Sequence, residues 1–464
     1  MKAVYYCGNH QVAGLLTYSL DYEVDSQRLM SRLAGLDRPV FLDSGTVRGE
    51  ARRFDILAAE PHAWLQIAAD NCSCSDADIQ VDPLNIFNAI RMLRQKYLSK
   101  PEHPSPSDPA YPFQGGLLGY LGYPHLQGRA QFKFEDVYVG VYPWAVIVDH
   151  DSARTTLVLQ PSCNETLALR LVGLLTDNNS GSAKTDARFR LRSSFQRQLT
   201  RAEYDNAFAA IKGFIRAGDC YQVNLTQRVT ATFEGDPCAA YLQLRAASPA
   251  PFSAFIAWPE GAMLSVSPER FVRLTGRQVL TQPIKGTRRR DSDPIVDEAL
   301  ARQLQSSEKD QAENLMIVDL LRNDLGRVCE TGSINANQLF TLHSFSNVHH
   351  LISSIEAQLA SNRDGLDLLE ACFPGGSITG APKLRAMEII QELEQDPRRV
   401  YCGTAFYLSV DGNMDSSITI RSLLWEAGEL HCWAGGGIVD DSESDAEYAE
   451  CFDKINSIIS SLAG

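Results

Sequence analysis

The sequence lacks several features that would place it in a special class. It has no run of about 18 apolar residues, the length that a membrane-spanning helix needs, so no membrane partner is expected. Its first residues lack the apolar core of a secretory signal. The 11 cysteines are scattered, and only Cys72 and Cys74 lie close together, so neither a disulfide framework nor a zinc site is predicted. We therefore expect a reduced, cytoplasmic protein.

Positive charge is also scarce. The chain carries 43 lysines and arginines against 57 aspartates and glutamates, which gives a formal net charge of −14. Such a chain repels phosphate backbones, so no nucleic-acid partner is expected. An anionic small molecule could still bind through local cations, helix N-termini or a metal ion. The 44% of apolar residues excludes wholesale disorder.

Two polar segments are predicted to be exposed loops. The segment 101–109 holds four prolines and two serines, and the segment 177–184 is made of small polar residues and one lysine. We take the second as the main boundary, which divides the chain into an N-terminal region, 1–180, and a second region, 195–464. The two regions are expected to share one core.

A hairpin in the second region carries the first candidate for chemistry. Thr275-Gly276 separates two strand-like runs, which predicts a short turn there. In that register Glu269 falls opposite Gln282, and Lys285 follows ~10 Å further along the ladder. A glutamate and a lysine in one pocket can act as proton donor and amine nucleophile. The alternative is a surface ion pair at the end of a hairpin.

Acidic residues form the second candidate. Glu313 is a lone carboxylate inside the apolar run 312–318. Glu447, Glu450 and Lys454 have the spacing i, i+3, i+7, so they share one face of a predicted helix that follows Ser442. Carboxylates from two helices suit Mg²⁺, which takes few protein ligands. The alternative is a solvated face held by salt bridges.

Glycine-rich segments form the third candidate. In the segment 373–383, glycines precede Pro382 and a predicted helix, where backbone N–H groups could face an anion. Ala381 stands where a nucleotide-binding P-loop would need lysine, so that motif is excluded. The run Gly435–Gly437 lets a backbone approach a ligand closely, and its alternative is a tight turn.

Taken together, these segments resemble the chorismate-utilising enzymes. The matching strings occupy residues 219–225, 267–271, 283–287, 312–328, 373–390 and 434–454, with 53–61 and 113–116 before them. Long strings in the same order are specific, and they span nearly the whole chain. The fold that the resemblance implies is an α+β body with two packed antiparallel sheets flanked by helices.

The resemblance also implies a reaction, the amination of chorismate at C4 by ammonia. The product, 4-amino-4-deoxychorismate, leads to p-aminobenzoate and folate. Anthranilate synthases carry alanine where Lys285 stands, and isochorismate and salicylate synthases use a lysine at the position that resembles Gln222. Lys285 therefore favours a transferase that aminates C4. The alternatives are an anthranilate synthase component and a catalytically silent regulatory subunit.

The resemblance assigns roles to residues of this sequence. Glu269 would protonate the leaving hydroxyl, Lys285 would form a covalent adduct, and His350 would lie near the ring. The implied contacts to substrate are Thr287, Tyr401, Arg421, Gly435, Gly436 and Lys454. The implied cofactor is Mg²⁺ on Glu313, Glu447 and Glu450. No glutaminase signature is present, so ammonia is expected from a separate glutamine amidotransferase subunit.

A second site is implied away from the chemistry. In related chains an amino-acid pocket binds tryptophan, as an inhibitor or as a structural ligand. The residues here that resemble its lining are Ser44, Ala51, Arg52, Arg53, Phe54, Pro251, Phe252 and Ser253. Asp43 beside Ser44 could favour the ligand's ammonium group or spoil the pocket. The alternative is that these residues only join two sheets.

Overall fold

The structure is a computed structural model, and it describes most of the chain. The described residues are 10–12, 15–45, 53–69, 71–98, 111–128, 131–177, 189–345 and 348–463. The loop predicted at 101–109 and all but the first residue of the one predicted at 177–184 lie outside them.

The first sheet is antiparallel throughout and has 14 strands within the described ranges. Its strands are β1 His10–Val12, β2 Leu15–Leu20, β3 Val40–Asp43, β4 Phe54–Ala58, β11 Trp144–Asp149, β12 Arg154–Leu159, β13 Arg190–Leu191, β14 Gln196–Arg197, β15 Gln222–Glu234, β16 Phe252–Trp258, β17 Gly261–Ser267, β23 Gly380–Ala381, β26 Ser422–Glu426 and β27 Glu429–Ile438. Their order is β1-β2-β12-β11-β4-β3-β16-β17-β26-β27-β15-β13, and β14 and β23 also pair with β15.

The second sheet is also antiparallel and has 11 strands in the described part of the chain. Its strands are β5 Ala63–Ala68, β6 Asn71–Cys74, β7 Gly116–Leu121, β10 Asp136–Tyr142, β18 Arg270–Thr275, β19 Gln278–Thr281, β20 Ile284–Arg289, β21 Asn335–Ser344, β22 Val348–Gln358, β24 Thr404–Ser409 and β25 Met414–Ile418. Their order is β20-β22-β19-β18-β25-β24-β7-β10-β5-β6, with β21 on β22. A separate pair joins β8 His125–Gln127 to β9 Gln131–Lys133.

Helices cover the sheets. They are α1 Gln27–Leu33, α2 Ile86–Tyr97, α3 Glu165–Thr176, α4 Arg201–Ala217, α5 Pro237–Ala247, α6 Pro294–Gln305, α7 Glu308–Leu325, α8 Gly365–Cys372, α9 Lys383–Leu393 and α10 Ser444–Leu462. Within the described residues, none of these helices has the length and apolar character needed to span a bilayer.

The two sheets enclose a common core. Leu65 and Leu118 of the second sheet belong to the same buried cluster as Ile256 and Met263 of the first. A second cluster packs α1, α3, α5 and α10 against the first sheet. The predicted α+β fold of two packed antiparallel sheets flanked by helices is confirmed.

Strands from both regions of the chain lie side by side. In the first sheet β3 pairs with β16, and in the second sheet β7 pairs with β24. Each pair joins a strand from the region 1–180 to one from the region 195–464. The boundary between the regions stays a prediction about the sequence.

The register of the hairpin differs from the predicted one. Thr275 pairs with Gln278, so the turn residues are Gly276 and Arg277, and Gly276 adopts a positive φ of 59°. Extended along the chain, this register places Glu269 level with Ile284 rather than with Gln282. The backbone N–H of Ile284 indeed donates a hydrogen bond to the Glu269 carboxylate. Lys285 is therefore one residue from that position instead of three.

The last helix begins later than the sequence suggests. We expected Ser442 to cap it, but α10 begins at Ser444, and the Ser442 hydroxyl donates a hydrogen bond to Glu447 Oε1 at 2.7 Å. Helix α7 does have a local cap, since Ser307 Oγ accepts from the Asp310 backbone N–H at 3.3 Å. A side-chain contact five residues along the chain replaces the local cap in α10.

Candidate active site

Ser377 brings the two predicted catalytic residues together. Glu269 lies between β17 and β18, Lys285 lies on β20, and Ser377 belongs to a 3-10 turn before α9. The Ser377 hydroxyl donates to Glu269 Oε1 at 2.8 Å, and Lys285 Nζ donates to the Ser377 carbonyl at 3.3 Å. The two side chains therefore share one neighbour, and they are not a surface ion pair, because Glu269 is only 6% exposed.

Burial moves both groups toward their neutral forms. Desolvation raises the pKa of Glu269 to about 7, against the opposing effects of the Ser377 hydroxyl and the Lys285 charge. Desolvation also lowers the pKa of Lys285, although the carboxylates of Glu313 and Glu269 oppose this. A carboxyl that can hold a proton near pH 7 thus lies beside an amine that loses its proton more readily than usual.

A bend in β20 sets the direction of the next side chains. Gly286 has a φ of 78°, and the pairing of β20 with β22 shifts between Lys285 and Thr287. A Cβ at Gly286 would lie 2.8 Å from Leu304 Cδ1, so a side chain there would be both strained and crowded. Beyond the bend, the Thr287 hydroxyl lies 2.9 Å from His350 Nδ1.

His350 is a buried, neutral histidine. Burial, with a contribution from the Arg421 charge, lowers the pKa of His350 to about 4. The imidazole is therefore uncharged at neutral pH, and it can donate and accept hydrogen bonds without carrying a positive charge. This environment fits a histidine that is simply packed in the core, and it also fits the predicted role near a substrate ring.

The three predicted metal ligands lie on two helices. Desolvation raises the pKa of Glu313 on α7 and that of Glu447 on α10, and the Glu447 charge further disfavours ionisation of Glu313. Glu450 is exposed and forms an ion pair of 2.8 Å with Lys454, which lowers the pKa of Glu450. A bound cation would reduce the electrostatic repulsion between carboxylates of this kind.

The donor chemistry of these carboxylates is compatible with Mg²⁺. Oxygen ligands suit this hard cation, which keeps several waters and so needs few groups from the protein. Over the described residues, no set of three His, Cys, Asp or Glu side chains is already gathered around one point. The assignment of Mg²⁺ to Glu313, Glu447 and Glu450 stays a prediction.

The glycine run lies within a strand, so the tight-turn alternative is wrong. Gly435–Gly437 belong to β27, which pairs with β15. Lys454 Nζ donates to the Gly435 carbonyl at 3.0 Å, and a Cβ on Gly436 would lie 3.1 Å from Glu447 Oε2. The absence of side chains therefore allows the polar face of α10 to approach the backbone of this strand.

Lys454 remains charged in this setting. Burial disfavours its ammonium form, but the carboxylates of Glu450 and Glu447 outweigh that effect and raise the pKa of Lys454. Its ammonium group thus contributes fixed positive charge near the glycine run.

Arg421 is a half-buried cation with no counter-ion among the described residues. It follows β25 with a positive φ of 53°, and burial lowers the pKa of its guanidinium. Among the described residues it has no ion-pair partner, although leaving a partly buried charge unpaired is costly. Tyr401 is also buried, and its ring lies parallel to that of Trp433 with centroids 6.4 Å apart. An unpaired guanidinium suits a carboxylate ligand.

Sequence reasoning missed the role of Ser377. The segment 373–383 was chosen for its glycines and for the helix start that follows, not for a side chain. A Cβ on Gly376 would lie 2.5 Å from Leu320 Cδ2, so this glycine is needed for close packing against α7. The tight packing helps to place the neighbouring Ser377, and no sequence signal showed that its hydroxyl would reach Glu269.

The residues predicted to line an amino-acid pocket contact other parts of the protein. Ser44 Oγ donates to Asp55 Oδ1 at 2.7 Å, and Ser253 Oγ donates to the Ala250 carbonyl at 3.0 Å. Arg53 binds Asp149 through two hydrogen bonds of 3.0 and 2.8 Å and lies over the Phe54 ring.

The other described residues of that predicted pocket are also buried or in contact with neighbouring side chains. The Arg270 guanidinium lies 4.7 Å from the centre of the Phe252 ring, and Pro251 is buried beside it. Asp43 accepts hydrogen bonds from Arg245 and Tyr241. Ala51 and Arg52 lie outside the described residues. The tryptophan site stays a prediction.

Comparison with known proteins identifies the family of the chain. A family model described as chorismate binding enzyme matches residues 39–460. The chain belongs to this family. The family predicted from the sequence is therefore confirmed.

Individual relatives cover nearly the whole chain. It is 45% identical to aminodeoxychorismate synthase component 1 of Klebsiella aerogenes over 96% of this chain and 98% of that protein. It is 43% identical to the protein of the same name from Escherichia coli K12, over 93% and 95% of the two chains. The structure of anthranilate synthase component I from Streptococcus pneumoniae aligns with a TM-score of 0.73 at 29% identity, over 89% of this chain and 93% of that one.

Tryptophan binding can be tested directly. Added L-tryptophan is expected to raise the unfolding temperature, because a ligand at a hundredfold excess over its Kd adds about 2.7 kcal/mol to stability. Ser44→Ala should reduce that shift, whereas Ser31→Ala, whose hydroxyl bonds only within α1, should not. A zero shift, together with no tryptophan released from the denatured protein, would contradict the site.

Proposed function

We propose that this chain aminates chorismate at C4 to give 4-amino-4-deoxychorismate, with ammonia supplied by a separate glutamine amidotransferase. The observation that carries the proposal is the pairing of Glu269 and Lys285 on Ser377, with pKa shifts toward a protonated acid and a neutral amine. The relatives named aminodeoxychorismate synthase component 1 support it, and the word component in their names implies a partner.

The residues of the chain can perform each proton and bond change of this reaction. The Lys285 amine attacks C2, both ring double bonds shift, and the C4 hydroxyl leaves as water with a proton from Glu269. Hydroxide is a poor leaving group at neutral pH, so the acid is needed. Ammonia then adds at C4, both ring double bonds shift back, and the Lys285 amine leaves C2. The proton that ammonia loses returns to Glu269.

Fixed charges would hold the two carboxylates of chorismate. Arg421, which has no counter-ion among the described residues, would bind the pyruvyl carboxylate together with Tyr401. Mg²⁺ bound by Glu313, Glu447 and Glu450 would neutralise the ring carboxylate. Lys454 balances the charge of this acidic group through its ion pair with Glu450.

The alternatives account less well for the same residues. An anthranilate synthase component has no use for an amine at position 285, and the sequence resemblance places alanine there in those enzymes. A silent regulatory subunit would have no need of a buried carboxyl with a pKa near 7 beside a partly buried lysine.

Product analysis tests the reaction. With chorismate, Mg²⁺ and an ammonium salt, the purified chain is expected to form 4-amino-4-deoxychorismate, detected by chromatography and mass spectrometry. With glutamine in place of ammonium it should form none, because no glutaminase site is predicted in the sequence. Formation of anthranilate, or efficient use of glutamine by the chain alone, would contradict the proposal.

The roles of Glu269 and Lys285 can be separated by trapping the intermediate. Without ammonia, chorismate should leave its mass minus water on Lys285, as found by peptide mapping. Glu269→Gln should slow formation of this adduct by ~10²–10⁴-fold, the usual contribution of a general acid. Because Glu269 must be protonated, the wild-type rate should fall as the pH rises through about 7.

Two results would count against these roles. One is a full rate in Glu269→Gln, and the other is the absence of any adduct under every quench condition. Glu298→Gln, which alters an exposed carboxyl on α6, serves as the matched control and should keep the wild-type rate.

Metal dependence forms a separate prediction. Chelator-treated protein should lose activity and recover it when Mg²⁺ is added. Glu313→Gln should weaken Mg²⁺ binding measured by calorimetry in the presence of chorismate, because it removes one of few oxygen ligands. Undiminished turnover in excess chelator would exclude the metal site.

A further inference from the structure

Arg398 is one of the most deeply buried charged residues of the chain, and its hydrogen bonds lead to the active site. Its side chain is 1% exposed and binds Glu394 through Nε and one Nη, at 2.8 and 2.7 Å. A second pair of donors reaches the carbonyl oxygens of Ile378 and Asn224, both at 2.8 Å. Four hydrogen bonds from one guanidinium thus join the segment that follows α9 to two other segments.

The first of these segments contains Ser377. Ile378 is the next residue in the same 3-10 turn, so the Arg398 bond to its carbonyl fixes the turn from behind. On the other side of the turn, the Ser377 hydroxyl donates to Glu269 and its carbonyl accepts from Lys285. Ile378, which Arg398 contacts, is therefore adjacent in sequence to Ser377, which contacts both predicted catalytic residues.

The second segment is β15, which lies beside the glycine run. Asn224 pairs with Gly437, and its backbone N–H donates to the Thr379 carbonyl at 2.9 Å, so the same turn is tied to the strand. Glu394 Oε1 also accepts from the backbone N–H of Thr226 at 2.9 Å. The Arg398–Glu394 pair thereby sets the separation between the turn and the strand.

We propose that Arg398 is a positioning residue of the active site, which holds the Ser377 turn so that its hydroxyl meets Glu269 and its carbonyl meets Lys285. The proposal rests on the proposed amination, because it assumes that Glu269 acts as the acid. Lysine cannot replace Arg398, since one ammonium group cannot span Glu394 and two carbonyls in different directions. The planar fork of arginine can.

The groups around Glu269 determine how its pKa would change if the Arg398 contacts were lost. Lys285 and the Ser377 hydroxyl both favour the ionised carboxylate, as does the backbone N–H of Ile284, while burial opposes it. The thiol of Cys402 also interacts electrostatically with Glu269. If the turn moves, the carboxylate loses the Ser377 bond first, and the proton on Glu269 is held more tightly.

The test compares Arg398→Lys with Ser377→Ala in the ammonium-dependent assay. Arg398→Lys should lower kcat by about 10²-fold, the effect of a displacement near 1 Å at a reacting group, with a much smaller change in KM. Both variants should move the high-pH limb of kcat to higher pH, because each removes the Ser377 bond. The double variant should show no further shift, since both changes act on one contact.

Arg399→Lys is the matched control. Arg399 is the next residue and forms its own buried pair with Asp136, but the structure gives it no contact with Ser377 or Glu269. This variant should lower the unfolding temperature and leave the pH profile in place. If Arg398→Lys lowers only stability, as the control does, or if its pH shift adds to that of Ser377→Ala, the inference is wrong.

A second variant, Glu394→Gln, provides the test if Arg398→Lys does not fold. Glu394→Gln keeps the shape of the side chain but offers one acceptor oxygen where Arg398 needs two, so it should shift the same limb of the profile in the same direction. An unchanged profile in folded Glu394→Gln would overturn the inference. Failure of the proposed function is recognised separately, because the wild-type chain would then form no aminated product.

Discussion

The desolvation of Glu269 and Lys285 is the constraint on which the rest of the site depends. A direct ion pair between them would keep both groups charged, and neither could then donate a proton or attack as an amine. Ser377 separates them, because it gives its hydroxyl to one and its carbonyl to the other. Burial then dominates both pKa values and moves each toward its neutral form.

The fold supplies this arrangement from segments that are distant in sequence. Glu269 comes from the link between β17 in the first sheet and β18 in the second, and Lys285 comes from β20 at the edge of the second sheet. The bend at Gly286 and the bare strand at Gly435–Gly437 remove side chains where two elements must come close. Polar groups from these segments can therefore lie close to one another.

Local patterns predicted the elements, and contacts across the chain decided the site. Helix α4 has a signal of the local kind, since it ends at Gly218, and a glycine with φ of 82° satisfies the cap locally. The hairpin register was wrong by one turn position, which changes the residue that Glu269 faces. Ser377 gave no signal, since Glu269 lies 108 residues away. Arg398 has near partners in Glu394 and Ile378, but its bond to Asn224 spans 174 residues. No periodicity or local spacing contains such contacts.

A buried arginine, Arg398, and a half-buried one, Arg421, differ in the partners that their charges have. Arg398 gives four hydrogen bonds to protein oxygens, and the adjacent Glu394 carboxylate outweighs burial, so its pKa is raised. Arg421 has no ion-pair partner among the described residues, and burial lowers its pKa. A protein keeps an uncompensated, partly buried cation at a cost in stability, and that cost is removed when an anion binds. Arg398 therefore has its hydrogen-bonding partners within the protein, whereas Arg421 keeps the capacity to pair with an anion, as the proposed function requires.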